Sequence, residues 1–452
     1  MIAEILIVIA FTATMIATVV YFTEDLLDPI TIFTLLNSTR FLIRPAVIML
    51  GLDLPENMHL FRMDVQELAK ETLLIFFFGY LAFALGYALA NGRLSRRLAT
   101  YMMGYRPATI RVARLNLLAL VSVLLSGAMS VYFIAQLGGL ANYMKDARLG
   151  LFAGMAFLQH LPELAVFIAA LALYIALRRR RGLLIPAIAF IASLVFLFMM
   201  GERGGIISAF LFLAVLYHFG VRRLTLGNYL AYGLALSLLL AGLGIARKEI
   251  MQSDEGSSVS TSRMLEIIGD DENWSALSVL QHLNANATDH FMVIVQDFDI
   301  TNFTYGDDFY RGLIGVIPRS IWPEKPERIT TGQWFTERYF PGKPSGRPIT
   351  TVGIYYLNFG YVGVFLGMLI SGIFCRILWH YLKGASYQPW SVILYLTFMF
   401  KILSWGTFTP TLPMDLILVF IPIYLAYHLT TTRTRRAERT LKQAPPLAAI
   451  PR

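Results

Sequence analysis

The chain has a single cysteine and few charged residues for its length. Because Cys375 has no second cysteine to pair with, an intramolecular disulfide and a metal cluster held by cysteines are excluded. Only 15% of the 452 residues are charged and 56% are hydrophobic, whereas a soluble globular protein carries about 25% charged residues. This composition excludes a soluble enzyme, a disordered protein and a nucleic-acid-binding domain, in spite of the net charge of +9. It indicates an all-α membrane protein that crosses the bilayer many times.

Long apolar runs predict the membrane spans. A bilayer core about 30 Å thick needs roughly 20 apolar residues per helix, and about eleven stretches satisfy this length. They lie near 2–22, 30–51, 70–91, 113–136, 157–177, 183–200, 204–220, 225–246, 350–374, 389–405 and 414–430. The first stretch lacks a basic leading segment and is too long for a signal peptide, so we expect it to remain as a span.

Clusters of Lys and Arg predict the orientation of the spans, because positive charge concentrates in short cytoplasmic loops. Such clusters follow the third, fifth, seventh, ninth and eleventh spans. They are Arg93, Arg96, Arg97, Arg106 and Arg111; Arg178 to Arg181; Arg222 and Arg223; Arg376 and Lys383; and Arg433, Arg435, Arg436 and Arg439. One topology satisfies all five clusters, with the N-terminus outside and the C-terminus in the cytoplasm.

The predicted spans divide the chain into four parts. Residues 1–246 contain spans one to eight, and residues 247–348 form a large loop outside the cytoplasm. Residues 349–430 contain spans nine to eleven, and residues 431–452 form a basic cytoplasmic tail. The large loop is the only extramembrane segment long enough to fold, and we expect short helices in it.

The second half of this loop is unusually basic. Residues 311–348 hold seven basic and three acidic residues, together with six prolines and two tryptophans. Positive charge on the outer face opposes the positive-inside tendency, and a bound anion would offset that cost. The simple alternative is a surface loop with interfacial aromatic residues. The functional interpretation is a proline-stiffened cradle that holds Arg and Lys against a phosphate group.

Further cations are predicted at the outer face or within the membrane. Arg203 lies in the turn GERGG (201–205), while Arg247 and Lys248 lie where the eighth span ends. A snorkelling side chain at a helix end is the alternative for each.

Arg40 and Arg44 fall inside the second span, four residues apart and so on one face of the helix. Each costs roughly 2.5–3.5 kcal/mol near the bilayer centre, so such residues usually face the protein interior and mark a functional site. The alternative is structural pairing with Glu4, Glu24 or Asp25.

A transfer reaction at this face with pyrophosphate as the leaving group would need a base for the acceptor hydroxyl. Asp308, Glu324, His290 and His282 are candidates, and the sequence does not choose among them. The acidic runs at 270–272 and 307–308 are short and are expected to be solvated, so no metal site is predicted. No HExxH, P-loop or dinucleotide-binding motif occurs.

Three segments are similar to those of a known family. GERGG (201–205) is similar to a Gly-x-Arg turn, and IPRSIWPEKP (317–326) to a Pro-Arg-x-x-Trp-Pro-x-Lys-Pro element. ITTVGIYYLNFGYVGVFLG (349–367) is similar to the glycine-rich segment that begins the span after the large outer loop. In these segments the sequence resembles the O-antigen and enterobacterial common antigen polymerases (Wzy-type), bacterial enzymes that polymerise lipid-linked oligosaccharide repeat units and are related to O-antigen ligases.

The resemblance implies a GT-C-like fold and a GT-C-type glycosyltransferase in the bacterial inner membrane that needs no cofactor. It would move a growing glycan from undecaprenyl pyrophosphate onto the terminal sugar of another undecaprenyl-pyrophosphate-linked unit. A chain-length co-polymerase would be its partner. Around the pyrophosphate, the resemblance implies Arg203, Arg319, Lys325 and Arg328, with Arg247 as a further candidate.

Two other functions remain open at this point. An O-antigen ligase would transfer finished glycan to a lipid core or protein with a similar architecture. A lipid-linked oligosaccharide transporter would use the basic residues to carry an anionic lipid without chemistry. Transporters often contain inverted repeats, and no repeat is visible in this sequence.

Overall fold

The computed structural model describes residues 2–102, 108–139, 143, 161–200, 203–225, 227–229, 231–233, 235, 286–317, 321–326, 330–342, 346–399 and 408–433. The regular structure in these residues is helical apart from one two-stranded sheet. The prediction of an all-α polytopic membrane protein is therefore confirmed.

The helices are, in chain order, α1 (Ile2–Phe22), α2 (Pro29–Met49), α3 (Val65–Leu89), α4 (Arg93–Met102), α5 (Val112–Gln136), α6 (Leu161–Arg179), α7 (Leu184–Met200), α8 (Arg203–Gly220), α9 (Asn286–Asp297), α10 (Asp307–Ile314), α11 (Thr331–Tyr339), α12 (Thr351–Gly384), α13 (Pro389–Thr397) and α14 (Leu412–Thr430). A π-helical turn, Thr39–Ile43, interrupts α2, and a second one, Leu416–Phe420, interrupts α14.

Seven of the described helices are long and apolar enough to cross a membrane, namely α1, α2, α3, α5, α6, α12 and α14. The apolar helices α7 and α8 are shorter. Together they match the first seven predicted spans, the ninth and the eleventh. α12 continues to Gly384, well beyond the predicted end at 374. α13 covers the first part of the tenth span, and most of the eighth span (225–246) lies outside the described residues.

The ends of several helices meet at one face of the bundle. Glu24, between α1 and α2, accepts a hydrogen bond from Arg376 at 2.8 Å and pairs with Lys383, both in the last turns of α12. The neighbouring Asp25 lies 3.2 Å from His218 at the end of α8. These segments all follow odd-numbered predicted spans. Their contacts agree with the pattern of basic clusters, which assigns such segments to one side of the membrane.

The sheet joins two more of these segments. β1 (Ala108–Ile110) pairs with β2 (Thr431–Arg433) in antiparallel register, with Ala108 opposite Arg433. The first strand lies in the loop after the third span and the second strand follows the eleventh. The sheet therefore ties the residues after α14 to the start of α5.

Glycines let α3 and α12 pack with their backbones in contact. A Cβ at Gly86 would overlap the carbonyl oxygen of Leu369, and a Cβ at Gly372 would overlap that of Phe83. Such close approach through small residues is how membrane helices gain packing energy when lipid removes the hydrophobic drive between them. These two helices are therefore tightly packed against each other.

A sharp kink breaks α12 near its start. Phe359 and Gly360 have non-helical backbone angles, and Gly360 has φ 57° and ψ −142°. Few residues other than glycine tolerate that conformation, and a Cβ there would also lie 2.7 Å from the Phe303 ring. The first two turns of α12 therefore run in a different direction from the rest of the helix.

Candidate active site

Three short helices of the large loop cover the other face of the bundle. α9 is held to α2 by the ion pair between Asp289 and Arg44. α10 is held to α12 because the amide of Gly306 donates to the side-chain oxygen of Asn358 at 2.9 Å. α10 also touches the segment before α14, since a Cβ at Gly312 would overlap the Pro410 carbonyl oxygen. The folded part of the loop thus rests on the ends of membrane-spanning helices.

A cavity of about 220 Å³ lies between α10, α11 and the segments that precede α12 and α14. Its lining consists of Asp308, Gly312, Thr330, Thr331, Gly332, Pro348, Ile349, Ile354, Thr409, Pro410 and Thr411. Pockets for drug-sized ligands measure about 300–1,000 Å³. The cavity therefore suits one sugar ring or one phosphate group of a larger substrate.

Among the described residues that line the cavity, Asp308 is the ionisable one. It lies in the first turn of α10, after Gly306 in a left-handed conformation with φ 88°. Burial raises the pKa of the Asp308 carboxyl above its ordinary value, while a hydrogen bond from the Thr331 hydroxyl at 3.3 Å and one with Asn358 oppose this. A raised pKa moves a carboxylate toward the range in which a general base works best at neutral pH.

Besides α10, three helices begin beside the cavity. Thr330 caps α11 in a capping box with Gln333, and Thr350, next to the lining residue Ile349, caps α12 by accepting from the Gly353 amide at 3.0 Å. Thr411 precedes α14. Each helix start carries a partial positive charge from aligned peptide dipoles. The cavity therefore combines a carboxyl group with dipoles that favour an anion.

His290 lies in α9 behind the cavity wall. Its Nδ1 is 2.7 Å from the carbonyl oxygen of Pro348, a lining residue, so Nδ1 carries the proton and donates it. Burial lowers the pKa of His290, and the charge of Arg347 adds to this effect, against the hydrogen bond to Pro348. The Nε2 atom is buried without a hydrogen-bond partner in the described part of the chain. His290 is close to the site, but its side chain is not part of the lining.

The two intramembrane arginines differ in their surroundings. Arg44 pairs with Asp53 and Asp289, so the alternative pairing with Glu4, Glu24 or Asp25 is wrong for this residue. Arg40, one turn earlier in the π-helical part of α2, has a buried Nε atom without a hydrogen-bond partner among the described residues. Its carbonyl oxygen accepts from the Thr288 hydroxyl of α9 at 2.8 Å. Both arginines thus contact α9 from the membrane side.

Lys325 and Glu324 occupy the turn after α10. The Lys325 ammonium donates to the carbonyl oxygens of Gly315 at 3.0 Å and Ile317 at 2.5 Å. It therefore balances the negative C-terminal end of α10. Glu324 is exposed and does not line the cavity.

The other sequence-predicted site residues have side chains outside the described part of the structure. The structure describes only the backbone of Arg203, the first residue of α8. Arg247, Lys248, His282, Arg319 and Arg328 lie outside the described residues.

Several residues of the site were missed by the sequence analysis. Thr331 and Asn358 both hydrogen-bond to Asp308, and Asp53 and Asp289 are the partners of Arg44. One signal was readable: Thr330 followed three residues later by Gln333 is the pattern of a capping box, and it predicts a helix start. The partners of Arg44 had no local signal, because Asp289 is far away in the chain.

A family comparison covers nearly the whole chain. Residues 3–434 match the family described as O-antigen polysaccharide polymerase Wzy. Neither the curated proteins nor the solved structures contain a match. The match includes the membrane-spanning helices and the loop that carries the cavity, and it bears out the family resemblance. The chain therefore belongs to the O-antigen polysaccharide polymerase Wzy family.

Proposed function

We propose that this membrane protein is a GT-C-type glycosyltransferase that polymerises undecaprenyl-pyrophosphate-linked repeat units at the periplasmic face of the inner membrane. The observation that carries the proposal is Asp308, a carboxyl group with a raised pKa in a cavity where three helices begin. The Wzy family membership supports polymerisation of O-antigen. The basic clusters support the orientation, since they predict a periplasmic N-terminus, a cytoplasmic C-terminus and a periplasmic large loop.

Asp308 is proposed as the general base. A hydroxyl oxygen of the acceptor sugar forms a bond to the anomeric carbon of the donor, and the bond between that carbon and the pyrophosphate oxygen breaks. Asp308 takes the hydroxyl proton, and undecaprenyl pyrophosphate leaves with the bonding electrons. Glu324 is exposed and His290 lies behind the lining, so Asp308 is favoured over both.

The leaving pyrophosphate needs positive charge. The helix starts at Thr330 and Thr350 supply partial charges, and preorganised donors in a poorly solvated site stabilise developing charge strongly. The basic residues proposed to complete the pyrophosphate site are Arg203, Arg247, Lys248, Arg319, Lys325 and Arg328. Arg40 is proposed to face the substrate, whereas Arg44 positions α9. A chain-length co-polymerase is the proposed protein partner.

Two variants of adjacent carboxylates test the role of Asp308. Purified protein in lipid nanodiscs receives lipid-linked repeat units, and the glycan products are separated by length. Asp308→Asn should lower the rate of elongation about 10²–10⁴-fold, the usual contribution of a general base. The control is Asp307→Asn, because Asp307 is exposed and pairs with Arg311 at 2.5 Å outside the cavity. Its elongation rate should stay within a few-fold of the wild type.

Wild-type product length and rate from Asp308→Asn would refute the assignment of the base. Absence of elongation by the wild-type protein, with lipid-linked units as both donor and acceptor, would refute the polymerase function itself.

A further inference from the structure

α10 has two opposite faces. Asp308 and Gly312, four residues apart, face the cavity. Tyr310 and Leu313 lie on the opposite side of the helix, because successive residues are about 100° apart around the axis. Their side chains are 51% and 63% exposed. An isolated exposed apolar residue is ordinary on a protein surface, so the surroundings of this face decide its meaning.

A second pair of exposed apolar side chains lies in the turn that follows α10 in the chain. Ile321 is 74% exposed and Trp322 is 37% exposed. Lys325 holds their turn against the end of α10 through its hydrogen bonds to the carbonyl oxygens of Gly315 and Ile317. We call Tyr310, Leu313, Ile321 and Trp322 the interfacial patch.

Both ends of α10 are fixed to membrane-spanning helices. At its start, a Cβ at Gly306 would lie 3.1 Å from the exposed ring of Phe359, at the kink of α12. Near its end, Gly312 packs on the carbonyl group of Pro410, two residues before α14. α10 therefore rests on the first turns of α12 at one end and on the segment before α14 at the other.

The exposed apolar surface is continuous from the spans to α10. Val362 on α12 is 65% exposed, and Leu366 on the next turn is also exposed. Such positions on a spanning helix face lipid. Phe359 continues this surface upward to Gly306 and the start of α10. The interfacial patch thus extends an exposed apolar surface that begins on the spanning helix α12.

We infer that α10 and the turn 321–326 form a membrane-surface element whose interfacial patch is inserted into the lipid leaflet on the side of the large loop. Tyr and Trp are the residues enriched at this depth of a bilayer, and an interfacial helix buries its apolar face about 5–10 Å into the headgroup and acyl boundary. Since the opposite face of α10 carries Asp308, the cavity lies at the level of the lipid headgroups. If the proposed function holds, a lipid-linked donor then reaches Asp308 without leaving the bilayer.

The single cysteine makes a direct test simple. Cys375 is fully buried, and Cys375→Ala gives a background without thiols. In this background, Leu313→Cys and, as the matched control, Glu337→Cys each receive the same small fluorophore. Glu337 is a good control because it is charged and exposed on α11, in the same loop. Both proteins are reconstituted in phosphatidylcholine vesicles.

The label at 313 should lose on the order of half of its fluorescence to lipids brominated near the glycerol end of their chains, the depth expected for an interfacial helix. Aqueous iodide should affect it little, and the label at 337 should show the reverse. Strong iodide quenching and no bromolipid quenching at 313 would overturn the inference. The test contains no enzymatic step, so its failure is distinct from a failure of the proposed polymerase reaction.

Discussion

The ion pair between Arg44 and Asp289 should decide whether α9 stays on α2. The guanidinium donates twice to this carboxylate, from Nε at 2.9 Å and from Nη2 at 2.7 Å. Arg44 is 6% exposed and Asp289 is 1% exposed. Removing one partner of a buried pair costs about 3–5 kcal/mol, because the other charge is left uncompensated.

The two single variants should differ in cost. In Arg44→Met, Asp289 keeps the hydrogen bond from the Glu56 amide at 2.8 Å but loses its cation. We therefore expect the packing of α9 on α2 to lose about 5 kcal/mol of stability. In Asp289→Asn, Arg44 keeps its ion pair with Asp53 and its hydrogen bond to the Leu54 carbonyl oxygen. We therefore expect a smaller loss of stability, about 3 kcal/mol. The double variant removes both charges. It should cost less than the sum, with a coupling of about 0.5–3 kcal/mol.

Hydrogen exchange of α9 in nanodiscs measures these costs. Because about 1.4 kcal/mol corresponds to a factor of ten, exchange of the Asn286–Asp297 amides should accelerate about 100-fold in Asp289→Asn and several thousand-fold in Arg44→Met. Lys70→Met is the control, since it removes an exposed pair with Glu67 and should leave α9 unchanged. Wild-type exchange of α9 in Arg44→Met would refute the reasoning.

Three further predictions concern the kink and the two ionisable groups of the site. Gly360→Ala should lower the thermal unfolding midpoint by the equivalent of more than about 1 kcal/mol, because Ala is strained at this φ and would clash with Phe303. The raised pKa of Asp308 means that the folded state binds the proton more tightly, so stability falls as pH rises from 3.8 through the folded pKa. Asp308→Asn should remove that decline, and an unfolding midpoint that shows the same decline in both proteins would contradict it. The lowered pKa of His290 means that stability is lost as pH falls below about 6.5. The side chain in His290→Asn can still donate to the Pro348 carbonyl oxygen but does not titrate. Its thermal unfolding midpoint should therefore stay constant over that pH range, where the wild-type midpoint falls.

The membrane helices were predictable because each one is a local feature. A span such as Val112–Gln136 is recognisable from its apolar run alone, since burial in lipid requires that run wherever the helix packs. The extension of α12 to Gly384 was not predicted, because Arg376 and Lys383 in its last turns suggest a loop. Their charges are instead balanced by Glu24, which the fold brings from the start of the chain.

The site was only partly predictable because it depends on distant contacts. Asp308 was one of four possible bases, and only the packing of α10 against α11 and the segment before α14 places it in the lining of the cavity. Arg44 was expected to face the protein interior, but its partner could not be identified. Asp289 lies 245 residues away in the chain, so no local pattern connects the two residues. Lys325 was predicted only as a cation for a phosphate group, and its donation to the carbonyl oxygens of Gly315 and Ile317 is a contact that no charge count reveals.

α12 joins the two sides of the membrane in one piece of backbone. Its first turns line the cavity through Ile354, and its middle is in backbone contact with α3. Its last turns bind Glu24. A side chain added at Gly372 would push α12 away from α3. This shift would also move Ile354 and so change the wall of the cavity, although Gly372 is far from the cavity. A loss of activity on substitution of Gly372 would therefore be a result of helix packing, and it would give no evidence of a second active site.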